Sequence, residues 1–351
     1  RHLLPLLLAA AAASTAAAAS TAAAFVLEEA TVESIHRAFA TGELTSRGLV
    51  ELYLRRIASL DPALHAVVEI DADGALAAAD RADAARLELE GAALPPLHGI
   101  PVLIKDNIAA AGDGSGRLNA TAGSLALVGS RPARDAGVVE RLRRAGAVVL
   151  GTASLSEWCN FRGPRIPAGW SPRAGQGINP YVPSATPCAS SSGSAIAAAA
   201  NMVAVTIGTE TDGSIMCPSS FNSVVGIKPT VGLTSRAGVI IISPRMDTIG
   251  TVSDAVHVLE AMVGYDPRDA EATRTASRYI PKGGYGQFLN IDGLRGKRVG
   301  ILRKDFFRFA PGSIQEKVFR DHFKHYECKL CSSENATDTF AVPNSFMLLK
   351  N

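Results

Sequence analysis

Two serine-bearing stretches and one lysine supply the residue types that could do chemistry in this 351-residue chain. The first stretch, Cys188-Ala189-Ser190-Ser191-Ser192-Gly193-Ser194, crowds small hydroxyl residues ahead of an alanine-rich segment of helical length, Ala195 to Ala204. A short apolar run, Val203 to Ile207, then leads into a second small-residue turn, Thr209 to Ser214. A turn such as Thr211-Asp212-Gly213-Ser214 can aim several backbone N–H groups at one point and so hold a developing oxyanion. A hydroxyl at the same turn is placed for acyl transfer, provided a base removes its proton. Gly-Ser turns are common, so this one needs that base before it means anything. A flexible Gly/Ser linker would share the composition but would not enclose an apolar helix and a β-branched strand.

The usual base does not stand out. None of the seven histidines (His2, His36, His65, His98, His257, His322, His325) falls in a turn with an obvious acidic partner, which leaves a Ser-His-Asp arrangement without support. No serine sits in a G-x-S-x-G elbow, which argues against an α/β-hydrolase. Lys105 is the better candidate. It ends the apolar run Val102-Leu103-Ile104, which reads as a buried strand. A desolvated lysine has a lowered pKa, and its neutral amine can take a proton. On strand position alone, a lysine snorkelling to solvent is the commoner outcome.

The elements that must position these residues alternate helix and strand. Apolar spacing predicts helices over Val32 to Phe39, Leu49 to Leu60 (capped by Thr45-Ser46), Ala75 to Leu89, Ala136 to Arg144 and Ala255 to Val263. Strands are predicted at Val102 to Ile104, Val148 to Leu150, Val203 to Ile207, Val239 to Ile242 and Arg298 to Leu302, with residues 163–187 as loop. The alternation argues for α/β layering around a largely parallel sheet.

Composition sets the outer limits. A chain with 47% hydrophobic and 19% charged residues can bury a large core. A net charge of +2, scattered along the chain, gives no reason to expect nucleic acid as a partner. The N-terminus, Arg1-His2 followed by the apolar run Leu3 to Ala13 and small residues to Ala24, has the layout of a secretory signal segment, with an organelle transit peptide as second choice. No other run approaches a membrane span. Five cysteines form no dense disulfide framework, and Cys328-x-x-Cys331 lacks a second pair for zinc. Asn119-Ala-Thr121 and Asn335-Ala-Thr337 fit the glycosylation sequon.

Three blocks together resemble the amidase signature family: HGIPVLIKDNI, CASSSGSA, and GTETDGSIMCPSSFNSVVGIKPTVGLTSRAGV, in the family's order and spacing. GINPYVPSATPCASSSGS and GTETDGSI are most similar to its plant and bacterial amidases, and the agreement runs from about residue 25 to about residue 326. The resemblance implies an α/β fold with a mixed β-sheet core covered by helices on both faces. It also implies a Ser-cis-Ser-Lys triad: Ser214 as nucleophile, Ser190 as bridging residue at a cis peptide bond, and Lys105 as base. Thr211, Asp212, Gly213 and Ser214 would supply the oxyanion hole, and Ser191 would support the site. The implied reaction is hydrolysis of a small-molecule carboxamide through an acyl-enzyme, without metal or organic cofactor, with homodimerisation allowed.

Cys188-Ala189 stand where many members carry Gly-Gly, Ser192 replaces a usual glycine, and Asp212 replaces another; each exchange matters only where the backbone needs positive φ. The resemblance fades near Tyr326, so the C-terminal part of the fold is expected to be missing and residues 327–351 to form a divergent, disordered tail. Two other readings compete with a free-standing amidase. One is the A-type component of a glutamyl-tRNA amidotransferase, which would pass ammonia to a partner; the other is an inactive remnant.

Overall fold

The computed structural model describes residues 25–89, 93–112, 118–163, 165–252, 254–295, 297–299, 307–330 and 349–350. The signal-like residues 1–24, the Asn335 sequon, Cys331 and most of the expected tail lie outside the described residues.

The first three helices are set by their caps. Helix α1 (Val32–Ala40) opens on Thr31, whose hydroxyl accepts from Ser34 N while Ser34 Oγ accepts from Thr31 N. Helix α2 (Ser46–Leu64) opens on Thr45, which accepts from Gly48 N at 2.9 Å. The Asp83 carboxylate of α3 (Ala72–Glu88) takes the N–H groups of Ser46 and Arg47 at 2.7 and 2.9 Å, so α3 fastens the start of α2. Strand β1 (Val67–Ile70) lies between α2 and α3 in the chain.

The main sheet has six strands in the order β1-β3-β2-β6-β8-β7. Its centre is parallel: β3 (Val148–Ala153) beside β2 (Pro101–Lys105) beside β6 (Val205–Glu210). Every residue of these three strands is buried, as their near-continuous apolar runs require. The flanks are antiparallel, β1 on β3, and β8 (Thr248–Val252) on β6 with β7 (Gly226–Ile227) beyond it. The sheet is therefore mixed, and the largely parallel arrangement expected from the alternation is confined to its centre.

Helix α4 (Gly137–Arg144) precedes β3 in the chain, α5 (Ser192–Ala199) precedes β6, α6 (Met216–Phe221) precedes β7, and α7 (Ala255–Met262) follows β8. One continuous core joins Ile35, Leu49 and Tyr53 of the first helices to Leu103, Ile104, Leu150 and Ile207 of the sheet and to Val258 of α7. Among its described residues, the expected loop 163–187 holds only the two-residue strands β4 (Trp170–Ser171) and β5 (Gly175–Gln176). Helix α8 (Ala270–Ala276), strand β9 (Arg298–Val299), helix α9 (Ile314–Leu330) and strand β10 (Leu349–Lys350), which pairs with β9, complete the described α-helices and strands.

Several expectations need correcting. Helix α5 stops at Ala199 rather than Ala204, because Asn201 takes a left-handed φ of 55° and Met202 N bonds back to Ala197 O, a Schellman ending. Val239 to Ile242 is not a strand. Val239 makes one isolated bridge to Ile108, and the Asp247 carboxylate captures the N–H groups of Ile242 and Ser243 that a ladder would need. Of the expected strand Arg298 to Leu302, two residues pair and 300–302 lie outside the described residues. Helix α9 continues through Leu330, past the point where the sequence loses periodicity. Asn119 is a poor glycan acceptor: it is 9% exposed, and its side-chain nitrogen donates to Glu69 at 2.6 Å. No helix among the described residues is long and apolar enough to cross a membrane.

Candidate active site

The C-terminal ends of the three parallel strands converge, the place where open α/β sheets put their ligands. Lys105 is the last residue of β2 and is completely buried. Its Nζ lies 2.7 Å from Ser190 Oγ, 3.0 Å from Ser191 Oγ, 2.9 Å from Thr209 Oγ1 and 3.2 Å from Thr209 O. The snorkelling alternative is therefore excluded.

For the neutral form of this amine, the neighbouring hydroxyls suggest where its hydrogens go. Ser191 Oγ donates to Thr209 O at 3.0 Å, so toward Lys105 it acts as acceptor. Thr209 Oγ1 already accepts from Asn107 Nδ2 at 3.1 Å, and Asn107 is itself held by Ile240 O at 3.0 Å. A neutral amine has two hydrogens and one lone pair. With Ser191 and Thr209 taking the hydrogens, the lone pair is left for the Ser190 hydroxyl. Burial pushes the Lys105 pKa down, opposed by the carboxylates of Asp247 and Glu210.

The turn that delivers Ser190 differs from expectation. No cis peptide bond occurs among the described residues, so the cis bond expected at Ser190 is absent. The chain turns instead through two successive left-handed residues, Cys188 at φ 57° and Ala189 at φ 44°. These are the positions where Gly-Gly is the familiar pattern, and here an added Cβ does matter. Ser156 supports the turn, its Oγ donating to Ala189 O at 3.0 Å and its N–H to Ser190 O at 3.2 Å. Ala189→Gly relieves one strained φ at the expense of a freer unfolded chain, and the two effects leave a net gain of up to about 1 kcal/mol. A rise of a few degrees in melting temperature is the expected result; an unchanged or lower value would show that the turn is not strained.

Ser214 sits on the adjoining turn, 8% exposed, and its carbonyl accepts Ser191 N–H at 3.1 Å. Two carboxylates pin this turn. Glu210 Oε2 accepts from Ile215 N at 2.5 Å and Met216 N at 2.9 Å, and Asp247 Oδ1 accepts from Thr211 Oγ1 at 2.5 Å. Gly213 has φ 81° with nothing within 4 Å of a built Cβ, so glycine is required there for conformation rather than space. Asp212 has no positive φ, and its substitution for glycine is harmless. Among the described residues, the backbone N–H groups of Thr211, Asp212, Gly213 and Ser214 donate to no protein acceptor. They are left open to an acceptor from outside the protein.

A disulfide links the two turns. Cys188 and Cys217, with Cα atoms 5.7 Å apart and 29 positions apart in sequence, join the residue two before Ser190 to the residue three after Ser214. Closing a loop of that size stabilises the fold by about 3–4 kcal/mol in the chain-entropy picture. Gly193 completes the junction, since a Cβ there would lie 2.4 Å from Ser154 O and 2.5 Å from Ser154 N.

The structure thus brings Lys105, Ser190 and Ser191 into direct contact and places Ser214 and its turn beside them. Thr209, Asn107, Glu210 and Asp247 were not singled out from sequence. Thr209 and Glu210 stand inside GTETDGSI and Asn107 inside IKDN, next to the candidates, but only the three-dimensional pairing shows their use. The run of positive φ at Trp158, Cys159 and Asn160 (50°, 55°, 66°) had no sequence signal either. His98, in the same block as Lys105, is buried with its Nε2 2.8 Å from Ala82 O. Among the described residues, no cluster of three or more His, Cys, Asp or Glu is placed to hold a metal.

Known proteins resemble this chain in sequence and in fold. The Amidase family profile matches residues 48–324. A probable amidase of Arabidopsis thaliana is 61% identical over 284 residues, covering 80% of this chain and 54% of that protein. The native peptide amidase of Stenotrophomonas maltophilia superposes with a TM-score of 0.78 at 45% identity, covering 86% of this chain and 61% of that one. The A-type component of the glutamyl-tRNA(Gln) amidotransferase of Chloroflexus aggregans is 39% identical over 291 residues, covering 82% of this chain and 56% of that protein. The chain spans about half the length of the curated relatives it matches. Its mixed sheet and helices have the arrangement of the solved amidases. On the family match and these likenesses, the chain belongs to the Amidase family.

Proposed function

We propose that the protein hydrolyses a carboxamide C–N bond by way of an acyl-enzyme, with Ser214 as nucleophile, Ser190 as proton relay and Lys105 as base. The reading rests on one observation above all: a fully buried Lys105 amine lies 2.7 Å from Ser190 Oγ, beside a turn with four uncommitted backbone N–H groups. Ser214 Oγ attacks the amide carbonyl carbon, its proton passes to Ser190 Oγ, and the Ser190 proton passes to Lys105 Nζ. The N–H groups of Thr211, Asp212, Gly213 and Ser214 receive the charge that develops on the carbonyl oxygen. The C–N bond then breaks as the leaving nitrogen takes a proton back along the same relay, leaving an ester on Ser214. Water attacks that ester by the same route and releases the carboxylate. Ser191 and Thr209 hold the amine so that the position that takes up and returns the proton faces Ser190.

The likeness to the peptide amidase supports amides of peptide-like carboxylic acids as the first substrates to test. Ammonia release from a panel of peptide, aryl and alkyl carboxamides is the assay. Loss of turnover in Ser190→Ala, with the fold unchanged, is expected; full turnover in that variant would remove the relay from the mechanism. The amidotransferase reading is favoured by the Chloroflexus relative, and glutamine-dependent ammonia transfer to partner proteins would single it out. A secretory route is supported by the disulfide, which is typical of oxidising compartments.

The pH dependence has a definite sign. Burial lowers the Lys105 pKa, so the neutral amine is present below about 10.4, the ordinary lysine value. The rate should rise with pH as this amine loses its proton, with an inflection below that value. Lys105→Met should remove the inflection. An acid limb that survives in that variant would assign it to another group.

A further inference from the structure

We propose that the Cys188–Cys217 disulfide is a positioning crosslink of the active site, and that its reduction by an external dithiol slows acylation of Ser214. The inference rests on the reading of Ser214 and Ser190 given above and extends it to the control of their alignment.

The placement carries the argument. Cys188 opens the pair of left-handed residues that deliver Ser190 to Lys105, and such conformations persist only when the surroundings over-determine them. Cys217 lies in the first turn of α6, where its N–H bonds to the carbonyl of Gly213, the residue before Ser214, at 2.8 Å. The crosslink therefore joins the strained turn to the nucleophile turn. The non-covalent ties between them among the described residues are Ser191 N–H to Ser214 O at 3.1 Å, Ser191 Oγ to Thr209 O at 3.0 Å, Thr209 N–H to Ser191 Oγ at 3.2 Å and Asn222 Nδ2 to Pro187 O at 3.0 Å. All engage Ser191 or Pro187 rather than Cys188 or Ala189. With the covalent tie cut, Cys188 and Ala189 can relax toward negative φ. Ser190 Oγ then moves relative to Ser214, while Lys105 stays fixed in β2. Proton relays lose much of their rate with small displacements of the relay atom.

Both half-cystines are half-buried rather than sealed in the core, so a reductant can reach them. The exchange is balanced. A dithiol thiolate attacks one sulfur, the Cys188–Cys217 bond breaks to a mixed disulfide, and the second thiol of the reductant closes its own disulfide. Two protein thiols result.

The test follows the kinetics of labelling by a fluorophosphonate on the whole chain, oxidised, reduced with dithiothreitol, and re-oxidised, beside Cys188→Ala and Cys217→Ala. Rate constant and labelled fraction at completion are read separately, with circular dichroism reporting folded protein. A role in positioning predicts a rate constant at least about tenfold lower in the reduced protein and in both variants. Labelling should still reach completion, re-oxidation should restore the rate of the natural chain, and the variants should ignore the reductant. Equal rate constants in the oxidised and reduced forms would overturn the proposal. A reduced labelled fraction that tracks unfolding, with an unchanged rate constant, would also overturn it, since the bond would then act through stability alone. Failure of the oxidised protein to label at all is a different result: it overturns the nucleophile assignment itself, and with it this inference.

Discussion

Ser214→Ala is expected to lower amide hydrolysis on the order of 10⁶-fold, to the level left by binding and the oxyanion cradle alone. The substitution removes one oxygen from a residue that is 8% exposed, and the tie that anchors its turn, Ser191 N–H to Ser214 O, belongs to the backbone and survives. Glu210 continues to hold Ile215 and Met216. Turnover should collapse while the circular dichroism spectrum and melting temperature stay close to those of the natural chain. Activity within a hundredfold of the starting value would mean that another group attacks the amide.

Lys105→Met is the second large effect. General-base catalysis accounts for about 10²–10⁴-fold in rate, and here the same amine must also return the proton to the leaving nitrogen. Methionine fills much of the lysine volume but can neither accept the Ser190 proton nor give it back. Ser191 and Thr209 retain their mutual bonds, which limits the damage to the fold. Lys105→Arg should be equally inactive, because a guanidinium does not deprotonate in this range.

The same substitution reads out in stability. With its pKa depressed by burial, the folded protein holds fewer protons at Lys105 than the unfolded chain does, between the depressed value and about 10.4. Stability contributed by this group therefore rises with pH across that window. Lys105→Met should flatten the rise. An unchanged slope would show that Lys105 is not the titrating group.

Much of this site was legible in the sequence because its residues lie where chain direction changes. Lys105 ends an unbroken apolar run, and Ser190 and Ser214 lie on small-residue turns at the two ends of an α5–β6 unit. The Thr45 cap is a short-range signal, readable from the sequence, and the structure keeps it at the start of α2. What escaped depends on partners distant in sequence. Strand β8 follows directly on the loop that Asp247 ties together, and the loop's own apolar residues, Val239 to Ile242, imitate the strand. Thr209 looks like any strand-end threonine until Lys105, 104 positions earlier, is seen to rest on it. The Cys188–Cys217 bond was hidden because five cysteines without a dense pattern fix no pairing. The cis bond was an expectation from resemblance, and the trans turn through Cys188 and Ala189 replaces it.

The most direct test of the central claim is to label the whole chain with a fluorophosphonate and locate the adduct by peptide mass spectrometry, in the natural protein and in Lys105→Met. A single adduct on Ser214 in the natural protein, slowed at least about a hundredfold in the variant, is the predicted result. An adduct on another serine, or labelling of Ser214 at the same rate without Lys105, would contradict the Ser-Ser-Lys account.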